Sequence, residues 1–100
     1  MDRTLELSEI RDTVTELGRQ YGAERIYLFG SYARGDAGRD SDVDLRIDKG
    51  EIRGLFALSG LRLALEDRLG TKVDLLTTGS LDGQFLDRIR GEEVLLYASQ

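Results

Sequence analysis

A chain of 100 residues with a net charge of −5 and neither cysteine nor histidine has the size and composition of one globular domain. These counts exclude a disulfide framework, a thiolate or imidazole metal site and a histidine general base, leaving carboxylates, serine, tyrosine and lysine to carry any chemistry. The acidic balance argues against non-specific binding to a nucleic-acid backbone, which needs a positive field. No apolar run approaches the roughly 18 residues of a membrane span, and Met1 to Glu6 lacks the basic-then-apolar order of a secretory signal. Absence of cysteine fits a reducing cytoplasm.

In chain order, residues 1–7 read as a frayed lead-in. Ser8 is a candidate N-cap, after which Ile10, Val14, Leu17 and Tyr21 recur at helical spacing, predicting a helix from Ser8 to Tyr21 that Gly22 ends. Gly18 weakens its last turn by about 1 kcal/mol relative to alanine. Arg25 to Phe29 is β-rich and predicts a first strand. Ser31 to Gly35 suits a single helical turn, and Asp36 to Ser41 a loop. From Asp42 to Asp48, charged residues alternate with Val43, Leu45 and Ile47, the pattern of a strand with one buried face.

The longest predicted element is a helix over Glu51 to Leu69, whose Leu55, Phe56, Leu58, Leu61, Leu63 and Leu65 are assigned to a broad core-facing side. Gly54 is a candidate break and Gly70 a stop. Lys72 to Leu76 reads as a strand, Leu81 to Arg90 as a helix packing Phe85, Leu86 and Ile89, and Glu93 to Tyr97 as a short edge strand or covering tail. Strand, long helix, strand suggests a crossover. The expected fold class is mixed α/β: one small sheet with helices packed on it, spanning residues 1–100 as a single domain.

Asp42 and Asp44 are two residues apart on a strand and therefore share a face, where two carboxylates need a counter-charge. Asp74 lies between Val73 and Leu75; if those two face the core, it joins the same sheet face. Three carboxylates without nitrogen or sulfur donors suit a hard, oxygen-seeking ion, Mg²⁺ first and Mn²⁺ as substitute. Mg²⁺ held by few carboxylates completes its shell with water and phosphate oxygens, which makes a nucleoside triphosphate the natural partner. The Gly30-Ser31 turn fits a phosphate, since glycine allows close backbone approach, Ser31 adds a hydroxyl and Arg34 lies one turn on. Arg34 has an alternative in pairing with Asp36 or Asp40. Arg46 shares the Asp42/Asp44 face and either supports the site or pairs with Asp44 or Asp48. Tyr27 and Tyr32 are candidates to flank a base, with packing the simpler assignment.

Gly30-Ser31, ten intervening residues, then Asp42-Val43-Asp44-Leu45 resembles the signature of the DNA-polymerase-β-type nucleotidyltransferase superfamily. The fuller run, Gly-Ser-Tyr-Ala-Arg-Gly-Asp followed by Ser-Asp-Val-Asp-Leu, is similar to its minimal nucleotidyltransferase branch. The resemblance implies a nucleotidyltransferase fold and a two-metal mechanism. Asp42 and Asp44 would hold both Mg²⁺ ions. Asp74 would complete the second site and help deprotonate the attacking hydroxyl, while Gly30 and Ser31 grip the β- and γ-phosphates of ATP. It further implies a partner, since many minimal members resemble antitoxins that silence a helical HEPN-type toxin by transferring AMP to one of its tyrosines. With no room expected for a second domain, the acceptor or half the site should come from that partner. Two alternatives stay open: a binding-only antitoxin, and transfer to an RNA end or a small-molecule hydroxyl.

Overall fold

Four strands form one sheet in the computed structural model, which describes residues 4–99. In chain order the elements are α1 (Leu7–Tyr21), β1 (Arg25–Phe29), α2 (Ser31–Arg34), β2 (Val43–Asp48), α3 (Gly54–Leu69), β3 (Val73–Thr77), a 3₁₀ turn (Thr78–Ser80), α4 (Gly83–Arg90) and β4 (Val94–Ala98). The sheet order is β3-β2-β1-β4. β1 is antiparallel to both neighbours, and β2 is parallel to β3 across the α3 crossover. The tail around Glu93 is thus a strand, and it covers an edge that β1 would otherwise leave unpaired.

Alternation sorts the strand residues onto two faces. Ile26, Leu28, Val43, Leu45, Ile47, Val73 and Leu96 point to one face and are buried under α1 and α3. α1 contributes Ile10, Val14 and Leu17, and α3 contributes Leu61, Leu65 and Leu69. The other face carries Tyr27 and Phe29 of β1, Asp44 and Arg46 of β2 and Asp74 of β3. α4 packs on that face by setting Phe85 edge-on to Phe29, 5.7 Å between ring centroids, and by burying Ile89. Asp82 caps α4, its carboxylate accepting from the Phe85 N–H at 2.8 Å.

The expected boundaries shift in places. α1 begins at Leu7 rather than Ser8, and Glu6 occupies the cap position without a side-chain cap bond, so Ser8 does not cap. Of the lead-in, residues 1–3 lie outside the described part; Leu5 is tied down, its N–H donating to the Tyr32 hydroxyl at 3.3 Å. α3 starts at Gly54, the glycine suspected as a break, and Ile52 is buried ahead of it. Three of its apolar residues do not face the core: Leu55, Phe56 and Leu63 are 79%, 96% and 55% exposed. At about 100° per residue, Leu61, Leu65 and Leu69 stack on one stripe, and Phe56 and Leu63, seven residues apart, fall on the opposite one. The helix is apolar on both sides, and composition alone hid its phase.

Gly18 has a use that helix propensity does not reveal. A side chain there would come within 2.9 Å of the Tyr97 ring and 3.0 Å of Ile26. The missing Cβ lets α1 lie close against β1 and β4.

Candidate active site

The site is built where β1 ends, β2 begins and β3 begins. β2 and β3 run parallel in a register that sets Asp44 beside Asp74, so both carboxylates leave the sheet on the same face. Asp42 precedes β2 by one residue and shares the parity of Asp44. On the other flank Phe29, the last residue of β1, pairs with Asp44, so the chain leaves β1 directly beside that carboxylate. It turns there at Gly30, with φ 78° and ψ −156°, a backbone region open essentially to glycine alone. A Cβ on Gly30 would overlap Asp44 Oδ2. Ser31 then opens α2, whose single turn is closed by Arg34 N–H donating to the Gly30 carbonyl at 3.0 Å. Among the described residues the Ser31 hydroxyl has no hydrogen-bond partner.

Electrostatics concentrate on Asp44. Its carboxyl is pushed up to about 6, first by partial burial, then by the Asp74 charge and a hydrogen bond shared with Asp74, then by the Asp42 charge; Arg34 pulls the other way. The three aspartates therefore feel one another as a cluster. They do not form a finished cage: among the described residues no three carboxylates stand together in a metal-binding arrangement. Asp42 instead lies 3.9 Å from the Lys72 ammonium, both side chains partly in water. The donor set fits a divalent cation: all-oxygen, acidic, and held on adjacent strand starts with one member reluctant to ionise.

Gly30, Ser31 and Arg34, expected to bind phosphate, lie on one turn and are joined there by Glu92. Arg34 does pair with Asp36, Nε to Oδ2 at 3.2 Å, and its Nη1 also reaches both oxygens of Glu92 at 3.4 Å. Its guanidinium is held above its ordinary range by the hydrogen bond to Asp36 and then by Glu92. Glu92 accepts the Gly30 N–H as well, at 2.8 Å. The Gly30 N–H is thus engaged within the chain rather than open, while its neighbour Ser31 remains open.

Arg46 is on the predicted face but does not touch the aspartate cluster. It is buried at 8% exposure and binds Glu93 through Nε at 3.1 Å and Nη2 at 2.8 Å. Its Nη1 donates to Thr78 Oγ1 at 2.9 Å and lies 3.7 Å from Asp48. The guanidinium sits 3.9 Å over the Tyr27 ring. Of the two expected pairings, that with Asp48 is present and that with Asp44 is not. Tyr27 is a stacking platform for Arg46, and Tyr32 a hydrogen-bond acceptor for Leu5, which assigns both tyrosines to packing.

Sequence reasoning missed Glu92 and Glu93. Two acidic residues before an apolar run carry no spacing signal; their roles appear only once β4 docks beside β1 and brings them across 62 and 47 positions to Gly30 and Arg46.

With this geometry the chain can be compared with known proteins. Over 81 residues it is 43% identical to the protein adenylyltransferase MntA of Thermococcus cleftensis, covering 77% of this chain and 82% of that protein. It is 36% identical over 90 residues to a Methanocaldococcus jannaschii protein provisionally named a protein adenylyltransferase, covering 90% of this chain and 97% of the other. Among solved structures, one provisionally named a minimal nucleotidyltransferase superposes with a TM-score of 0.77 at 38% identity, over 88% of this chain and 90% of that one. A chain from a toxin–antitoxin crystal structure with AMP-PNP gives 0.76 at 26% identity, over 90% of this chain and 74% of that one. Residues 12–100 match the family described as polymerase beta, nucleotidyltransferase. The match takes in both the Gly30-Ser31 turn and the strand aspartates, and the chain belongs to the polymerase β nucleotidyltransferase family.

Proposed function

We propose that this nucleotidyltransferase moves AMP from ATP to a tyrosine hydroxyl of a helical, HEPN-type toxin and silences it. The observation that carries the reading is the placing of Asp44 beside Asp74 across β2 and β3, with the Gly30 turn packed against Asp44. Asp42 and Asp44 would hold two Mg²⁺ ions and Asp74 would complete the second site. When bound, such ions stabilise charge on the attacking and leaving oxygens of an in-line displacement. The chain's own residues do the rest. Ser31 and Arg34 bind and orient the triphosphate, and the carboxylate cluster around Asp74 takes the proton from the acceptor hydroxyl. The tyrosine oxygen bonds to the α-phosphorus, the α–β bridge breaks, and pyrophosphate leaves.

AMP as the transferred group is supported by the relatives named protein adenylyltransferases, and ATP by the AMP-PNP in the toxin–antitoxin neighbour. A protein partner is supported by the exposed Leu55, Phe56 and Leu63 on α3, across the sheet from the aspartates, since apolar surface of this kind marks protein contact sites. No helix among the described residues is long and apolar enough to cross a membrane.

The test is incubation of the purified chain with α-labelled ATP, Mg²⁺ and the product of the adjacent gene. Label should appear on a partner tyrosine and vanish with Asp42→Ala or Asp44→Ala. Transfer that survives both substitutions overturns the mechanism. Neutralisation without label would identify a binding-only antitoxin, and label on RNA or a small hydroxyl compound without partner would redirect the acceptor.

A further inference from the structure

Glu92 lies outside the Gly-Ser and Asp-x-Asp motifs, yet it touches both Gly30 and Arg34. Its carboxylate accepts the Gly30 N–H at 2.8 Å and receives Arg34 Nη1 at 3.4 Å. We propose that Glu92 is a positioning residue for the nucleotide: it braces the Gly30-Ser31 turn and presents Arg34, so that the triphosphate meets a preformed grip. This rests on the nucleotidyltransfer reading above.

Three features favour a brace. Gly30 holds a conformation far from the usual backbone basins, with φ 78° and ψ −156°, and a hydrogen bond to its N–H fixes that residue at the point where β1 gives way to α2. Glu92 itself is anchored: its N–H and that of Glu93 both donate to the Ile89 carbonyl, at 3.0 and 2.9 Å, and β4 begins two residues later with Val94 paired to Leu28 of β1. The carboxylate therefore comes from a fixed corner of the fold, and its side chain is only 24% exposed. Finally, Glu92 takes the N–H of Gly30 while leaving the Ser31 hydroxyl unengaged, so the brace and the phosphate use different atoms of the turn.

The opposite assignment is a plug. A carboxylate resting on Arg34 and a backbone N–H imitates a phosphate, and a plug would have to leave before ATP binds. The two differ in sign. A brace predicts that removing the carboxylate weakens nucleotide binding, and a plug predicts that it tightens.

The experiment uses the full chain and measures ATP·Mg²⁺ affinity by titration, together with KM and kcat for labelling of the partner. Glu92→Ala should raise the dissociation constant and KM for ATP by about tenfold or more, the usual cost of losing a charge-assisted hydrogen bond. The change in kcat should be much smaller. Glu92→Gln keeps an acceptor oxygen for the Gly30 N–H and should recover most of the lost affinity. Unchanged or tighter binding in Glu92→Ala, or a Glu92→Gln as weak as Glu92→Ala, overturns the proposal. If Glu92→Ala does not fold, Glu92→Asp, one methylene short of the Gly30 N–H, carries the same comparison. A wild-type chain that binds no ATP would instead defeat the nucleotidyltransfer reading, so the two failures are distinguishable.

Discussion

Asp44 and Asp74 stand side by side on parallel strands, 30 positions apart in sequence, close enough that the Asp74 charge helps push the Asp44 carboxyl up. A fold that brings two acids together in this way is storing unfavourable charge at the position where the proposed chemistry needs it.

The first expected consequence concerns pH. Asp44 titrates in the fold near 6, raised from 3.8 by burial and by its acidic neighbours. Because the folded value is the higher one, the protonated form favours the fold. That stabilisation is complete below about pH 4 and is lost as pH rises through about 6. Thermal unfolding of wild type and Asp44→Asn should coincide near the acid end, and the variant should melt higher at neutral pH while losing activity. Under the proposed two-ion reading, cation and proton compete for Asp44, so millimolar Mg²⁺ should raise the wild-type melting temperature at neutral pH and leave the variant less affected. A melting-temperature difference that does not vary with pH would count against the shared-charge picture.

Gly30→Ala should fold but not work. Its methyl would overlap Asp44 Oδ2, and its positive φ would strain any side chain. If Asp44 acts as proposed, displacing its carboxylate by about 1 Å costs about 100-fold in rate, which is the loss expected in the labelling assay. Activity within threefold of wild type, about 0.7 kcal/mol, would show that the close fit does not matter.

Arg46→Ala should be among the more damaging single changes. It strands Glu93, which is 13% exposed, and removes the cation stacked on Tyr27. Breaking a buried pair by deleting one partner costs about 3–5 kcal/mol. Denaturant unfolding of Arg46→Ala, Glu93→Gln and the double variant should give a coupling energy of about 1 kcal/mol or more. Additive losses would mean that the two side chains are independent.

Gly18→Ala should destabilise the protein even though alanine favours a helix by about 1 kcal/mol. The added methyl would press on Tyr97 at 2.9 Å and Ile26 at 3.0 Å, and overpacking of this kind costs about 1–3 kcal/mol. A higher melting temperature would show that α1 can withdraw from the sheet without penalty.

Much of this was legible in the order of residues. Alternation between Asp42 and Asp48 placed Val43, Leu45 and Ile47 inward and the carboxylates outward, and the core bears that out. The parity of Asp74 against Val73 put it on the same face, which the β2–β3 register confirms. α3 was harder, since leucine and phenylalanine on both sides leave a helix with no visible phase. Only the sheet decides that Leu61 and Leu65 go in and that Phe56 and Leu63 stay out. Arg46 was located by alternation, but its partner could not be, because Glu93 belongs to another strand. Local patterns report which face a residue takes. They are silent on which distant side chain will be waiting there.

The bond from Gly30 to Glu92 spans 62 positions, and it orders events during synthesis. A growing polypeptide has all three aspartates in hand well before the carboxylate that steadies the glycine bend leaves the ribosome. Proteolytic cutting between Asp74 and Glu92 would likewise part the three acids from that carboxylate and from β4, the strand that completes the sheet beside β1.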